Sequence, residues 1–228
     1  NAIIGFAEVM SGELLGPLGT PRYREYAADI VRSGRFLHDL ISDVLDMAKV
    51  EAGRRELRLE PVDIVEETRE SVRMLRPRAE TGRVALATEL GDAPVVISAD
   101  RRAYCQIVLN LVTNAVKFTR PGGRVWVALR DGAAGPVLEV GDNGIGIAED
   151  EMEHVGVPFF RVGNPQQATT EGTGLGLALT KSLVELHGWK LAIASRAGSG
   201  TKVTIELGPR LAAPGPLATA GSAATLRR

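Results

Sequence analysis

Cysteine, charge of one sign and long apolar runs are all scarce in this chain of 228 residues. The single Cys105 has nothing to pair with in an internal disulfide, which suits a reducing, cytoplasmic compartment, and it reads as a small core residue. With 27 basic and 28 acidic residues the formal net charge is -1, so nothing electrostatic points to nucleic acid or an anionic membrane as partner. No run approaches the roughly 20 apolar residues that cross a bilayer, and no signal-peptide pattern opens the chain. Asn1 is not a natural start, so the sequence reads as a fragment, with any sensors or membrane spans left to an upstream part. Only three histidines occur, scattered as His38, His154 and His187, and they form no metal cluster. What is present is a 44% hydrophobic content, enough for an ordinary domain plus something smaller.

Helical periodicity comes first. Ile3, Ala7, Met10 and Leu14 recur at steps of four and three, a seam whose expected partner is the next helix. Thr20 and Pro21 then read as N-cap and first helical residue. Ile30, Gly34, Leu37, Ile41, Val44 and Ala48 carry the seven-residue repeat through a longer helix ending near Ala52, while Asp29, Arg35, Asp39, Asp43 and Asp46 lie mostly outside it. Two such helices cannot bury both sides alone. Residues 1–54 are therefore expected to form a helical hairpin, half of a four-helix bundle completed by a second copy.

At Glu56 the period changes to two, and Leu57, Leu59 and Val62 mark a strand opening a second domain over 55–209. Helices are expected at 64–80, from the N-cap Asp100 onward, and at 175–186. Strands are expected at 84–90, 95–98, 125–129, 137–140, 191–194 and 203–207. The fold class is α+β: the hairpin, then an α/β sandwich with one mixed sheet covered by helices on one face. Residues 210–228, rich in Ala, Gly, Pro, Ser and Thr, read as a disordered tail.

The stretch 106–119, QIVLNLVTNAVKFT, puts Gln106, Asn110, Asn114 and Lys117 on one helical stripe opposite Val108, Leu111, Val112, Ala115 and Val116. Two neutral amide oxygens one turn apart, with an ammonium a turn further on, suit a hydrated Mg²⁺ whose other ligands are phosphate and water. Asp142 follows a strand and precedes Asn143, Gly144, Ile145 and Gly146. A carboxylate there can accept the exocyclic amine of adenine, and the missing Cβ atoms at Gly144 and Gly146 let a base approach the chain. Gly172, Gly174 and Gly176 come just before an apolar helix and aim backbone N–H groups at an anion. The segment between Arg161 and Glu171 is polar and aperiodic, as in a mobile loop that closes over a ligand, with Arg161 in reach of a phosphate. Each feature alone also has an ordinary reading as a solvated Asn pair, a tight turn or an exposed arginine. His187, at a helix end before Gly188, reads as a favoured cation, and His154 as a surface-turn residue.

In order and spacing these stretches, with PFFR at Pro158 to Arg161, resemble the N box, first glycine box, F box and second glycine box of the histidine kinases, within the GHKL group of ATP-binding proteins. NAIIGFAEVM is similar to the second half of an H box and LISDVLDMAKVEAG to the end of the second dimerisation helix, so the resemblance covers nearly all of residues 1–209. It implies ATP and Mg²⁺ as ligands, with Asn110 and Asn114 at the metal and Asn110, Lys117 and Arg161 acting in transfer. Asn114, Asp142, Gly144, Gly146, Gly172, Gly174, Gly176 and Thr201 would surround the nucleotide, Asp142 selecting adenine and Thr201 through the family's last Gly-Thr element. The implied partners are a second copy and the receiver domain of a response regulator.

The chain departs from the family pattern at Gly156 and Val157 of the F box and at Trp189. Where the group's ATPases carry a water-activating glutamate, this chain has Asn110, which cannot act as a general base. Hydrolysis should be poor, and the γ-phosphoryl should pass to a histidine and thence to a response-regulator aspartate. In the family that histidine precedes the position of Asn1, so the chain as given is expected to bind ATP without phosphorylating itself. His38-Asp39 imitates the missing pair, but on the second helix and with no proline following. Rival readings are a serine kinase of the same group and a nucleotide-binding or dimerisation module without transfer activity.

Overall fold

The computed structural model describes residues 2–52, 55–160 and 173–211. Its first two helices, α1 (Ala2–Ser11) and α2 (Pro21–Glu51), form the expected antiparallel hairpin. Small residues let them meet: Ala7 and Ala27 are buried, and an added Cβ at Gly34 would lie 2.8 Å from the Ile4 side chain. Arg35 closes the contact with an ion pair to Glu8 at 2.6 Å. The expected seam is thus only partly spent on the neighbouring helix. Ile3, Met10, Leu14, Ile30, Leu37 and Ile41 stay exposed, because Ala7 and Gly34 already bring the two backbones close and the larger groups fall to the outside.

The second unit begins with β1 (Glu60–Asp63) and α3 (Ile64–Thr81), followed by β2 (Ala85–Glu89), β3 (Val96–Ala99) and α4 (Arg101–Phe118). The hairpin β4 (Arg124–Asp131) and β5 (Pro136–Asp142), α5 (Gly176–Leu186), β6 (Lys190–Arg196) and β7 (Gly200–Glu206) complete it. A short 3₁₀ segment, Glu149–His154, had no periodic signal in the sequence. The main sheet has the order β2-β4-β5-β7-β6, with β2 parallel to β4 and every other pairing antiparallel. Val125, Val127, Leu138, Val140, Val203 and Ile205 turn inward from it beneath the three helices. Each such burial contributes about 1.5–3 kcal/mol.

The five-stranded mixed sheet with its helices is the expected α+β sandwich, and a second, two-stranded sheet accompanies it. β1 and β3 form a separate antiparallel pair with Glu60 opposite Ala99 and Asp63 opposite Val96. The strand expected from Glu56 is correspondingly short. Its partner stops at Ala99, and Asp100 turns away as the N-cap of α4, accepting from Ala103 N at 2.9 Å and from Arg58 N at 2.9 Å. At the other end, Arg210 bridges to Ile97 and Leu211 N donates to Val96 O at 2.8 Å, so two residues read as tail are attached to this small sheet.

His187 is also corrected. Its Nε2 accepts from Asp100 N at 3.0 Å and its Nδ1 faces Leu183 O at 2.7 Å, so the neutral Nδ1–H tautomer satisfies both. Burial holds its pKa below the usual histidine value, and the ring stacks on Trp189 at 4.0 Å between centroids. It is a neutral cap between β3 and α5, and the helix-end cation reading fails because desolvation outweighs the terminal dipole.

Candidate active site

A cleft of about 1190 Å³ opens between the polar stripe of α4, the start of α5, the end of β5 and the middle of α2. Asn110, Asn114, Lys117, Asp142, Gly146, Gly174, Gly176 and Thr201 all line it. Asn110 and Thr201, far apart in sequence, meet here because α4 and α5 pack side by side, α4 on β5 and α5 on β6. Arg161 and Gly172 lie outside the described residues.

Asp142 is the last residue of β5, with only 7% of its surface exposed. Its Oδ1 accepts from Gly144 N at 2.8 Å and from Thr201 N at 3.3 Å. Burial raises the carboxyl's pKa above the usual range, and these two backbone donors offset part of the rise. With both donors gathered on Oδ1, Oδ2 remains for another donor in the cleft.

Gly144 and Gly146 are also constrained by packing. An added Cβ would lie 2.3 Å from Phe118 O at Gly144 and 2.0 Å from Arg196 O at Gly146, which also has φ of 64°. Backbone packing on α4 and β6 requires glycine at both positions and holds the Asp142 loop in place.

The two asparagines of α4 are in unequal states. Asn110 donates Nδ2 to Gly176 O at 3.0 Å, and its Oδ1 accepts from Gln106 at 2.9 Å, so it fastens α4 to the first turn of α5. Each such bond contributes about 0.5–1.5 kcal/mol. Asn114 makes no side-chain hydrogen bond among the described residues and faces the cleft. Lys117 lies one turn further on, its ammonium 4.5 Å from the centroid of the Phe118 ring.

The glycine-rich turn is held from two sides. Gly174 O accepts from Phe159 N at 3.2 Å, and Thr173 Oγ1 accepts from Leu175 N at 3.2 Å. That same hydroxyl donates to Asp43 on α2 at 3.0 Å. Gly156, a departure from the family pattern, has a φ of 85° that favours glycine, and the Lys181 stem passes beside it, its ammonium donating to Val155 O.

Several site residues escaped the sequence reading. Asp43 was visible only as one of several carboxylates off the seam of α2, a stripe that does face the cleft together with Asp39 and Asp46. Burial raises the Asp43 pKa, the Thr173 bond opposes the rise, and Asp39 and Asp46 add to it. Ser195, which bonds to Ile147 N, Gly200 O and Thr201 Oγ1, had no signal at all, since a serine on a two-period strand is unremarked.

Fold and cleft together define an ATP-binding α/β sandwich carried on a helical hairpin. A family model described as histidine kinase-, DNA gyrase B-, and HSP90-like ATPase matches residues 99–211. The chain is 44% identical over 219 residues to the histidine protein kinase DivJ of Caulobacter vibrioides, covering 96% of this chain and 36% of that protein. It is 39% identical over 218 residues to the cell-division control histidine kinase PdhS of Brucella abortus, covering 92% of this chain and 21% of that one. It thus spans about a third or less of the length of these curated relatives. Among solved structures, full-length ShkA in complex with AMPPNP matches with TM-score 0.74 and 30% identity over 94% of this chain and 44% of that one. The mycobacterial sensor histidine kinase MprB matches with TM-score 0.58 and 31% identity over 67% of this chain and 99% of that one. The chain belongs to the histidine kinase family and is an ATP-binding catalytic core of that family, which sets the serine-kinase reading aside.

Proposed function

We propose that this core binds ATP with Mg²⁺ in the cleft and transfers the γ-phosphoryl to a histidine of a dimerisation helix, from which a response-regulator aspartate takes it. The observation that supports this most is the convergence of Asp142, Asn114, Lys117 and the start of α5 on one cleft whose opposite wall is α2. Asp142 Oδ2 accepts the adenine amine, the backbone at Gly174 and Gly176 faces the phosphates, and Lys117 contributes positive charge, the roles of Gly172 and Arg161 resting on the family resemblance alone.

The donor set fits Mg²⁺. Asn114 offers a neutral carboxamide oxygen without a protein partner among the described residues, and Asn110 Oδ1 keeps one lone pair beyond the Gln106 bond. Among the described residues no group of three or more His, Cys, Asp or Glu is placed to hold a metal, which suits a cation liganded mostly by phosphate and water. When bound, Mg²⁺ neutralises triphosphate charge. Asn110 cannot take a proton from water, so the chain's own residues position the triphosphate and leave water unactivated.

A homodimer is part of the proposal. Ile3 is 72%, Leu37 56% and Ile41 50% exposed on the hairpin, and a second copy would cover them in a four-helix bundle. A cytoplasmic setting accords with the lone Cys105, whose thiol is pushed up to about 11 by burial and the Glu67 carboxylate. The proposed division into 1–54, 55–209 and a tail follows the change of architecture after α2. The test is γ-labelled ATP with the full-length protein: acid-labile phosphate should be incorporated, and Asn114→Ala should abolish it. Undiminished labelling of that variant would remove Asn114 from the site.

A further inference from the structure

Asp142 alone accounts for one acceptor facing an adenine amine, and a second is held ready beside it. Ser195 on β6 makes three hydrogen bonds through one oxygen: it accepts from Ile147 N at 2.9 Å, donates to Gly200 O at 3.0 Å, and shares a bond with Thr201 Oγ1 at 2.8 Å. A serine hydroxyl has one proton and two lone pairs. Gly200 O can only accept, so it takes the Ser195 proton, and Ile147 N–H takes one lone pair. The remaining lone pair must receive the Thr201 proton. The polarity of the Thr201 hydroxyl is thereby fixed: its hydrogen points at Ser195, and its oxygen presents only lone pairs to the cleft it lines.

We infer that Ser195 is a positioning residue for base selection, holding Thr201 Oγ1 as an obligate acceptor beside Asp142 so that an exocyclic amine is favoured over a carbonyl at the same place. This rests on the nucleotide reading of the cleft and deepens it. The same serine joins the three segments that frame the carboxylate. Ile147 belongs to the loop after β5, Gly200 begins β7, and Thr201 N is itself the second donor to Asp142 Oδ1. Thr201 also pairs directly with Ser195 in the β6–β7 register, so the hydroxyl contact is built into the strand alignment.

The experiment compares ATP with inosine triphosphate, which carries a carbonyl in place of the amine, by competition against a fluorescent nucleotide in the presence of Mg²⁺. Ser195→Ala frees the Thr201 hydroxyl to rotate and donate, so the ATP-to-ITP affinity ratio should fall about 3- to 10-fold, the range of one hydrogen bond. Ser195→Thr keeps the oxygen and should restore the ratio. Thr201→Val removes only the acceptor and should lower the ratio by a similar factor, which decides the matter if Ser195→Ala does not fold. Equal loss of both nucleotides in Ser195→Ala, or an unchanged ratio in Thr201→Val, overturns the inference while leaving the nucleotide site intact. A wild-type chain that binds neither nucleotide overturns the site reading itself.

Discussion

Thr173 Oγ1 donates to Asp43 Oδ2 at 3.0 Å while accepting from Leu175 N at 3.2 Å, so one hydroxyl joins the helical hairpin to the turn that leads into α5. It sets a carboxylate of α2 against the helix terminus proposed to face the phosphates. Like charges across a partly desolvated cleft repel. Asp43→Asn should therefore raise ATP affinity, by about 2- to 5-fold for a partly exposed charge. Calorimetric titration checks this, and weaker binding by the variant would mean that the carboxylate points away from the nucleotide.

Asp142→Asn keeps an oxygen for Gly144 N and Thr201 N but turns an NH₂ toward the adenine amine. A site built to accept a hydrogen bond rejects a donor strongly. The variant should fold with little change in its unfolding midpoint and lose ATP affinity by about 10-fold or more. Binding equal to wild type would take Asp142 out of base recognition.

Gly146→Ala should destabilise the chain by about 2 kcal/mol or more, since φ of 64° and a Cβ 2.0 Å from Arg196 O leave no relaxed position. Denaturant unfolding measures the change. An unchanged midpoint would show that the loop after β5 can move off β6.

Stability should fall in mild acid through His187. The folded chain holds this imidazole neutral with its pKa below the usual value, so its contribution is complete above the unfolded value near about 6.5 and is lost as pH falls through the folded one. Protonation removes the acceptor for Asp100 N. Unfolding midpoints at pH 7.5 and 5.5 should differ, and the difference should shrink in His187→Gln. A pH-independent midpoint in the wild-type chain would contradict the assignment.

Much of this fold was legible in the sequence because its signals are periodic. The Asn110–Asn114–Lys117 stripe, the Asp100 cap and the seven-residue repeats of the hairpin each depend on spacings within a single element. What stayed hidden depends on pairing between distant segments. Nothing local in 56–62 says that the strand has a four-residue partner ending at Ala99, and nothing near His187 announces that Asp100 N will donate to it. The glycines of 144–146 were recognised by their place, but only the folded chain shows Phe118 and Arg196 packed behind them. Ser195 and Asp43 were missed for the same cause: their partners lie on other elements.

The most direct test of the central claim, that Asn114 and Asp142 converge on one magnesium-bound ATP, is calorimetric titration of the chain with ATP with and without Mg²⁺. Wild type should bind at one site and more tightly with the metal, whereas Asn114→Ala should lose that metal-dependent gain, about 10-fold or more, the range for a lost metal-site contact. Identical isotherms for Asn114→Ala and wild type in Mg²⁺, or no heat of binding for either, would contradict the account.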